Sequence, residues 1–179
     1  MRLFALAVVL AAPFGCFKRA RPSPASQGST VDLHWAGATK GGFAAPAEAE
    51  WCPTDSLVEL SAIRGDTAFG IALVAKDTIR VGQHPIVLPS VVVDWRPLAR
   101  VAFRWPTTGE NKGYEANGGN VHVTDVAGNA VSGQLDVRMA AGNPRDTIRL
   151  TGTFTRVPLK PGLLPCGRTV KEAKRSKTG

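Results

Sequence analysis

Apolar and polar residues alternate along most of the chain between Thr30 and Val157. Val, Ile, Thr and Phe are frequent there, and Gly, Pro, Asn and Asp interrupt them at short intervals. The alternation indicates antiparallel β-strands and not helices. The pattern predicts strands over residues 30–36, 46–52, 56–63, 67–75, 78–83, 86–93, 98–105, 113–125, 130–140 and 147–157. About eight to ten short strands at this spacing are typical of an all-β domain, a single antiparallel β-sandwich or barrel with meander and hairpin connections.

The stretch from Ser56 to Val74 contains a hairpin whose register can be predicted. Gly65 and Asp66 fit a two-residue turn of type II′, because Gly in the first central position accepts the positive φ that this turn requires. A slip of one residue would scramble the apolar face of the hairpin. The predicted cross-strand pairs are Val58 with Leu73, Leu60 with Ile71 and Ala62 with Phe69. The turn therefore explains Arg64-Gly65-Asp66, a tripeptide that integrins also recognise, as a structural feature.

Length and composition fit one globular domain with an extension at each end. The chain has 179 residues, of which 44% are hydrophobic and 20% charged, an ordinary balance for a folded protein. We predict a signal peptide over residues 1–15 and a Pro/Ser linker over residues 16–29. The β domain is predicted over residues 30–159, followed by a C-terminal segment with a basic disordered tail over residues 160–179.

The net charge of +8 comes from the two ends of the chain. Residues 1–28 carry a net +4 and residues 160–179 a net +5, whereas residues 29–159 carry −1. A nucleic-acid module would concentrate Lys and Arg on a face of its folded domain, so this distribution argues against nucleic acid as a partner. The basic C-terminal tail is instead predicted to contact anionic lipid or polysaccharide.

An apolar run of twelve residues follows Arg2 and ends just before Gly15 and Cys16. The run has the length of a signal-peptide core and is too short to span a bilayer, which takes about 20 residues. Together with Gly15 and Cys16 it resembles the lipobox of bacterial lipoproteins. The resemblance implies lipidation of Cys16, a membrane partner reached through the lipid anchor, and a cell-envelope location on the periplasmic or surface side of an outer membrane. Two alternatives stay open: secretion after cleavage behind Ala11, and a start that is not cleaved.

The chain has three cysteines, which is an odd number for an exported protein. If lipid occupies Cys16, then Cys52 and Cys166 remain as an even pair, and an oxidising compartment would favour a disulfide between them. The alternative is that both are buried, reduced thiols.

Known catalytic patterns do not occur in this sequence. It has no Gly-x-Ser-x-Gly nucleophile motif, no phosphate-binding loop and no paired-carboxylate signature. The three histidines, His34, His84 and His122, do not have the spacing of metal ligands, so neither a metal nor a cofactor is expected. His34 and His122 are predicted to face outward, and His84 is predicted to lie in a loop before Pro85.

One stretch carries candidate ligand-binding residues. Trp95 is the tryptophan that we expect to be available for a ligand, whereas Trp35 and Trp105 fall on apolar faces and are predicted to belong to the core. Arg96, Arg100 and Arg104 share one side of a predicted strand and could bind a carboxylate or phosphate. The alternative is a solvated, charged strand face.

These observations favour a non-enzymatic binding or structural module, exported and anchored to an envelope by lipid. A small β-barrel that carries an apolar ligand is the alternative from another class, and a hydrolase whose residues converge only in three dimensions is a further one.

Overall fold

The computed structural model describes residues 28–52, 56–75, 77–88, 97–107, 110–143 and 145–162. Every regular element in these ranges is a β-strand, which confirms the predicted all-β class. The strands are β1 (Thr30–Gly37), β2 (Gly41–Cys52), β3 (Leu57–Arg64), β4 (Thr67–Val74), β5 (Gly82–Pro85), β6 (Leu98–Thr107), β7 (Glu110–Ala127), β8 (Ala130–Ala140) and β9 (Thr147–Pro161).

The sheet closes on itself and forms an antiparallel barrel of eight strands. The order around the barrel is β7, β6, β4, β3, β2, β1, β9 and β8, and the pairing of β8 with β7 closes the ring. A short parallel pairing also joins β2 to the end of β9, between Ala49 and Leu159 and between Trp51 and Pro161. Of the two architectures left open by the sequence, the protein therefore adopts the barrel.

β5 is the additional strand, and the strand predicted over residues 78–83 has the wrong bounds. The pattern predicts strands over residues 78–83 and 86–93, whereas the structure has one short strand at Gly82–Pro85 and a single bridge from Ile86 to Ala99. Residues 89–93 lie outside the described ranges. The backbone N–H of Ile86 donates to the Gly119 carbonyl and that of Val87 to the Ala99 carbonyl. β5 and the two residues after it thus bridge β7 and β6 where those strands diverge, which local periodicity cannot reveal.

Three other strands are at least three residues longer than predicted. β2 begins at Gly41, β7 begins at Glu110, and β9 extends to Pro161, two residues beyond the predicted end of the β domain. The residues added to β2 begin with Gly41 and Gly42 and those added to β9 include Pro158 and Pro161, which are breakers on local propensity alone. Pairing with neighbouring strands of a closed barrel overrides that propensity.

The predicted hairpin between β3 and β4 is confirmed pair by pair. Val58 pairs with Leu73, Leu60 with Ile71 and Ala62 with Phe69. Gly65 has a φ of 58° at the first central position of the turn, as the turn type demands.

The barrel interior is filled by the inward side chains of all eight strands. Its largest fully buried members include Leu33, Leu60, Phe103, Tyr114, Met139 and Phe154. Gly133 on β8 makes room for Phe154, since a Cβ at Gly133 would collide with the Phe154 ring.

Aromatic rings close one end of the barrel. The Trp105 and Tyr114 rings stack with centroids 4.7 Å apart and planes 2° apart, and Trp35 lies 5.0 Å from Trp105. Trp35 and Trp105 are half-buried and pack against the core, as predicted. Tyr114 Oη donates to Asp146 Oδ1 at 2.6 Å, and Lys112 forms an ion pair with Asp146.

Candidate functional site

A polar cleft runs across the outer surface of β5, β7, β8 and β9. Its volume is about 840 Å³. Most side chains in the cleft are amides, hydroxyls or charged groups that point away from the core, because outward positions alternate with inward ones along each strand. The polar cleft is lined by Gln83, Gly118, Gly119, Asn120, His122, Gln134, Leu135, Asp136, Arg138, Arg149, Thr151, Gly152 and Thr153.

One end of the polar cleft is shaped by a β-bulge in β7. The register with β8 shifts between Ala116 and Gly118, so Asn117 is the extra residue, and Gly119 follows with a φ of 103°. Arg138 on β8 lies across the bulge, and its Nη2 sits only 3.1 Å from the place where a Cβ of Gly118 would be. Arg138 Nε donates to Asn117 Oδ1 at 2.9 Å. The bulge therefore leaves room for the guanidinium over Gly118, and the hydrogen bond to Asn117 orients it.

A second arginine, Arg149 on β9, is held by a carboxylate. Arg149 Nε donates to Asp136 Oδ1 at 2.7 Å and Arg149 Nη2 donates to Asp136 Oδ2 at 2.5 Å. These hydrogen bonds hold the pKa of Asp136 below its usual value and raise the pKa of Arg149. The pair is a two-point Arg–carboxylate contact, the geometry in which an ion pair is most directional.

The two arginines stand directly opposite each other. Arg138 pairs with Arg149 in the β8–β9 register, and like charges in such opposed positions repel each other. Asp136 compensates Arg149, whereas Arg138 is held by the neutral amide of Asn117. This end of the polar cleft therefore carries one positive charge more than its side chains balance.

The other end of the polar cleft is a neutral hydrogen-bonding surface. His122 on β7 lies between Gln83 on β5 and Gln134 on β8, and Gln134 pairs in turn with Thr153 on β9. Side chains opposed in this way stand about 5 Å apart. Amides and hydroxyls both donate and accept hydrogen bonds, so the row can bind hydroxyl-rich ligands along the whole width of the face.

The predicted binding residues lie on a neighbouring part of the surface. Arg100 and Arg104 are both exposed on the outer face of β6, one on each side of Ala102, and neither lines the polar cleft. A shallow groove of about 310 Å³ runs beside Arg100, floored by Gly70, Ala72 and Ala102. Trp95 and Arg96 lie outside the described residues, so binding by this set stays a prediction.

The histidines lie in three different settings. His34 is exposed, with Nε2 3.5 Å from Asp32 Oδ1, and His122 faces the polar cleft. His84 is predicted to lie in a loop, but it belongs to β5 and is only 2% exposed, with Nδ1 3.2 Å from the Gly82 carbonyl oxygen. Burial lowers the pKa of His84, opposed by the hydrogen bond with Gly82. Within the described ranges, no three His, Cys, Asp or Glu side chains converge as a metal site.

Cys52 is buried at the end of β2, and Cys16 and Cys166 lie outside the described ranges. The last described residue, Gly162, donates its backbone N–H to the Trp51 carbonyl at 2.8 Å. The chain thus reaches the residue beside Cys52 just four positions before Cys166. Four residues span at most about 14 Å, so the approach of β9 to β2 is compatible with the predicted disulfide.

The sequence interpretation missed the polar cleft. One signal was present: Asn117, Gly118 and Gly119 interrupt an otherwise regular strand, and Gly inside a strand often marks a bulge or a close approach of another group. The sequence does not give the β7–β8 register, so it does not show that Arg138 is the residue that approaches the bulge.

Comparison of the chain with protein-family models, with curated protein sequences and with solved structures gives no match. The described part of the chain contains no helix long and apolar enough to cross a bilayer.

Proposed function

We propose that the protein is a non-enzymatic binding module of a bacterial envelope, exported, anchored by lipid on Cys16, and binding a polar ligand in the polar cleft. The observation that carries the proposal is the polar cleft itself. It combines a seated guanidinium at one end with a row of amide, hydroxyl and imidazole side chains at the other. Such a surface offers many hydrogen bonds and no nucleophile activated by a neighbouring base.

The packing of the interior favours binding on the outside of the barrel. An eight-stranded barrel either fills with side chains or holds one small ligand. Here Phe69, Phe103, Tyr114 and Phe154 all point inward and are almost completely buried. The carrier of an apolar ligand is the second candidate, supported by the closed barrel alone.

Two features support the envelope location. Residues 3–16 resemble the signal and lipobox of bacterial lipoproteins. The approach of Gly162 to Trp51 also brings the chain close enough for a Cys52–Cys166 disulfide, a bond typical of oxidising compartments outside the cytoplasm.

The proposal is tested by sedimentation with isolated envelopes. The full chain carrying Cys16→Ser, which lipid cannot anchor, is mixed with envelope fragments of the native host, and the bound fraction is measured. We expect a variant with Asn120→Ala and Gln134→Ala to lose binding, because both side chains line the polar cleft. The control Arg64→Gln alters an exposed residue of the β3–β4 hairpin, outside the cleft, and should bind normally. Equal binding by all three proteins would refute the role of the cleft.

Lipidation of Cys16 is tested by a separate mass measurement. Intact mass of the mature wild-type protein from its host should show a chain that begins at Cys16 and carries a diacylglyceryl-sized increment. A lipid-free chain beginning at Ala12 would show secretion without an anchor.

A further inference from the structure

The strongest unassigned feature of the polar cleft is the positive charge of Arg138. Its guanidinium lies over Gly118, Asn117 accepts a hydrogen bond from its Nε, and the residue lines the polar cleft. Arginine has five donors in a rigid plane, so the single bond to Asn117 leaves most of them for a ligand. The direction is fixed before the ligand arrives, which reduces the ordering that binding costs.

The groups around Arg138 favour binding of an anion with one planar charged group. Arg149, directly opposite, is already compensated by Asp136 through two hydrogen bonds. Because Asn117 occupies Nε of Arg138, a ligand carboxylate would accept its two hydrogen bonds from the two terminal nitrogens, and its charge would relieve the repulsion between the two arginines.

The rest of the polar cleft indicates what carries that carboxylate. Asn120, Gln134 and Thr153 present amide and hydroxyl groups beside the arginines, which suit the hydroxyls of a sugar chain. A peptide would bind to a free strand edge or insert its side chains into apolar pockets. The edges of β8 are both paired, and the cleft side chains are mostly polar.

We infer that the polar cleft binds an acidic polysaccharide, with a sugar carboxylate on Arg138 and neighbouring hydroxyls on the amide and hydroxyl row. This inference rests on the proposed function and names the ligand class of the same site. Asn117 is a positioning residue that acts through Arg138.

The test compares one polymer with and without its carboxylates. The full Cys16→Ser chain is titrated with polygalacturonate and with its fully methyl-esterified form, and affinity is measured calorimetrically at low and at moderate salt. We expect the ester to bind about ten to a hundredfold more weakly, the range for losing a charge-assisted hydrogen bond. Added salt should weaken binding of the acid and leave binding of the ester nearly unchanged.

Variants assign the effect to one guanidinium. Arg138→Gln should reduce the affinity for polygalacturonate to that for the ester without altering binding of the ester. Asn117→Ala should weaken binding severalfold and leave its salt dependence intact, because the charge remains. Arg104→Gln tests the neighbouring face of the barrel, where the sequence predicts another anion-binding set, and this inference expects no effect there. The matched control Arg64→Gln removes an exposed arginine of the β3–β4 hairpin, which belongs to neither surface, and should have no effect. Each variant alters an exposed or half-buried side chain, and circular dichroism checks that the barrel is retained.

Several results would overturn the inference. Equal affinity for acid and ester would show that the carboxylate is not recognised. If neither polymer bound, a polysaccharide would be excluded as the ligand. Equal binding of polyglutamate would indicate an acidic peptide, and equal binding of dextran sulfate an unselective anion site. If Arg104→Gln weakened binding of polygalacturonate and Arg138→Gln did not, the binding site would lie on β6. The envelope sedimentation described above does not depend on carboxylates, so a neutral ligand would refute this inference and leave the proposed function standing.

Discussion

Gly133 on β8 lies beneath the ring of Phe154 on β9, and this contact gives a sharp test of the barrel packing. In Gly133→Ala the new Cβ would overlap the Phe154 ring and press on the His122 carbonyl oxygen. Phe154 is 1% exposed, so the ring cannot swing into solvent. Overpacking of a filled core costs about 1–3 kcal/mol, and the backbone contact at His122 places this variant in the upper part of that range.

Gly113→Ala is the matched control. Gly113 also lies within a strand, its φ is not positive, and nothing lies within 4 Å of its would-be Cβ. There the added methyl group reduces the entropy of the unfolded chain, so the variant should gain about 0.4–1 kcal/mol.

The assay is urea unfolding of the full chain followed by tryptophan fluorescence. Gly133→Ala should unfold at lower urea with an unchanged slope, and combination with Phe154→Leu should cost less than the sum of the two single changes, since the smaller side chain leaves space for the methyl group. The packing argument would be refuted if Gly133→Ala were as stable as Gly113→Ala, or if the two changes were strictly additive.

Three further predictions concern other parts of the molecule. Cys166→Ser should lower the unfolding free energy by up to about 4.7 kcal/mol, the entropic value for a loop of about 100 residues, and added reductant should destabilise the wild type but not the variant. Burial lowers the pKa of His84 below its ordinary value of 6.5, so the unfolded chain binds a proton at this residue more readily than the folded chain. The contribution of His84 to stability should therefore be complete above pH 6.5 and should fall as the pH drops below it. Urea unfolding of His84→Leu should lack this part of the pH dependence. Tyr114→Phe removes the hydrogen bond to Asp146 and should cost about 1 kcal/mol in the same assay, and an unchanged midpoint would contradict the contact.

The parts of the fold that could be predicted are those that local chemistry determines. The β3–β4 hairpin follows from Gly65 at a turn that needs positive φ and from apolar residues at alternate positions on both sides. The inward faces of β8 and β9 follow from the same alternation. Each of these features depends on residues close together in sequence, where spacing and turn type leave few alternatives.

The closure of the barrel and the polar cleft depend on contacts that the sequence pattern does not contain. Whether β8 pairs with β7 or ends a separate sheet is a question of long-range pairing, and both a sandwich and a barrel satisfy the same alternation. Asn117 and Arg138 meet only because the β-bulge shifts the β7–β8 register by one residue. Until that register shift is known, an arginine that binds a ligand cannot be told apart from any other solvated arginine on a predicted outer face.

Both ends of the described barrel lie beside β2. Ser29 is hydrogen-bonded to Ala47, and Gly162 is hydrogen-bonded to Trp51, four residues further along the same strand and at the end opposite the aromatic rings. The two basic extensions, residues 16–27 and residues 163–179, therefore join the barrel beside the same strand. Attraction of either extension to an anionic surface would therefore hold the barrel by the same side, beside β2, which is not one of the strands that line the polar cleft.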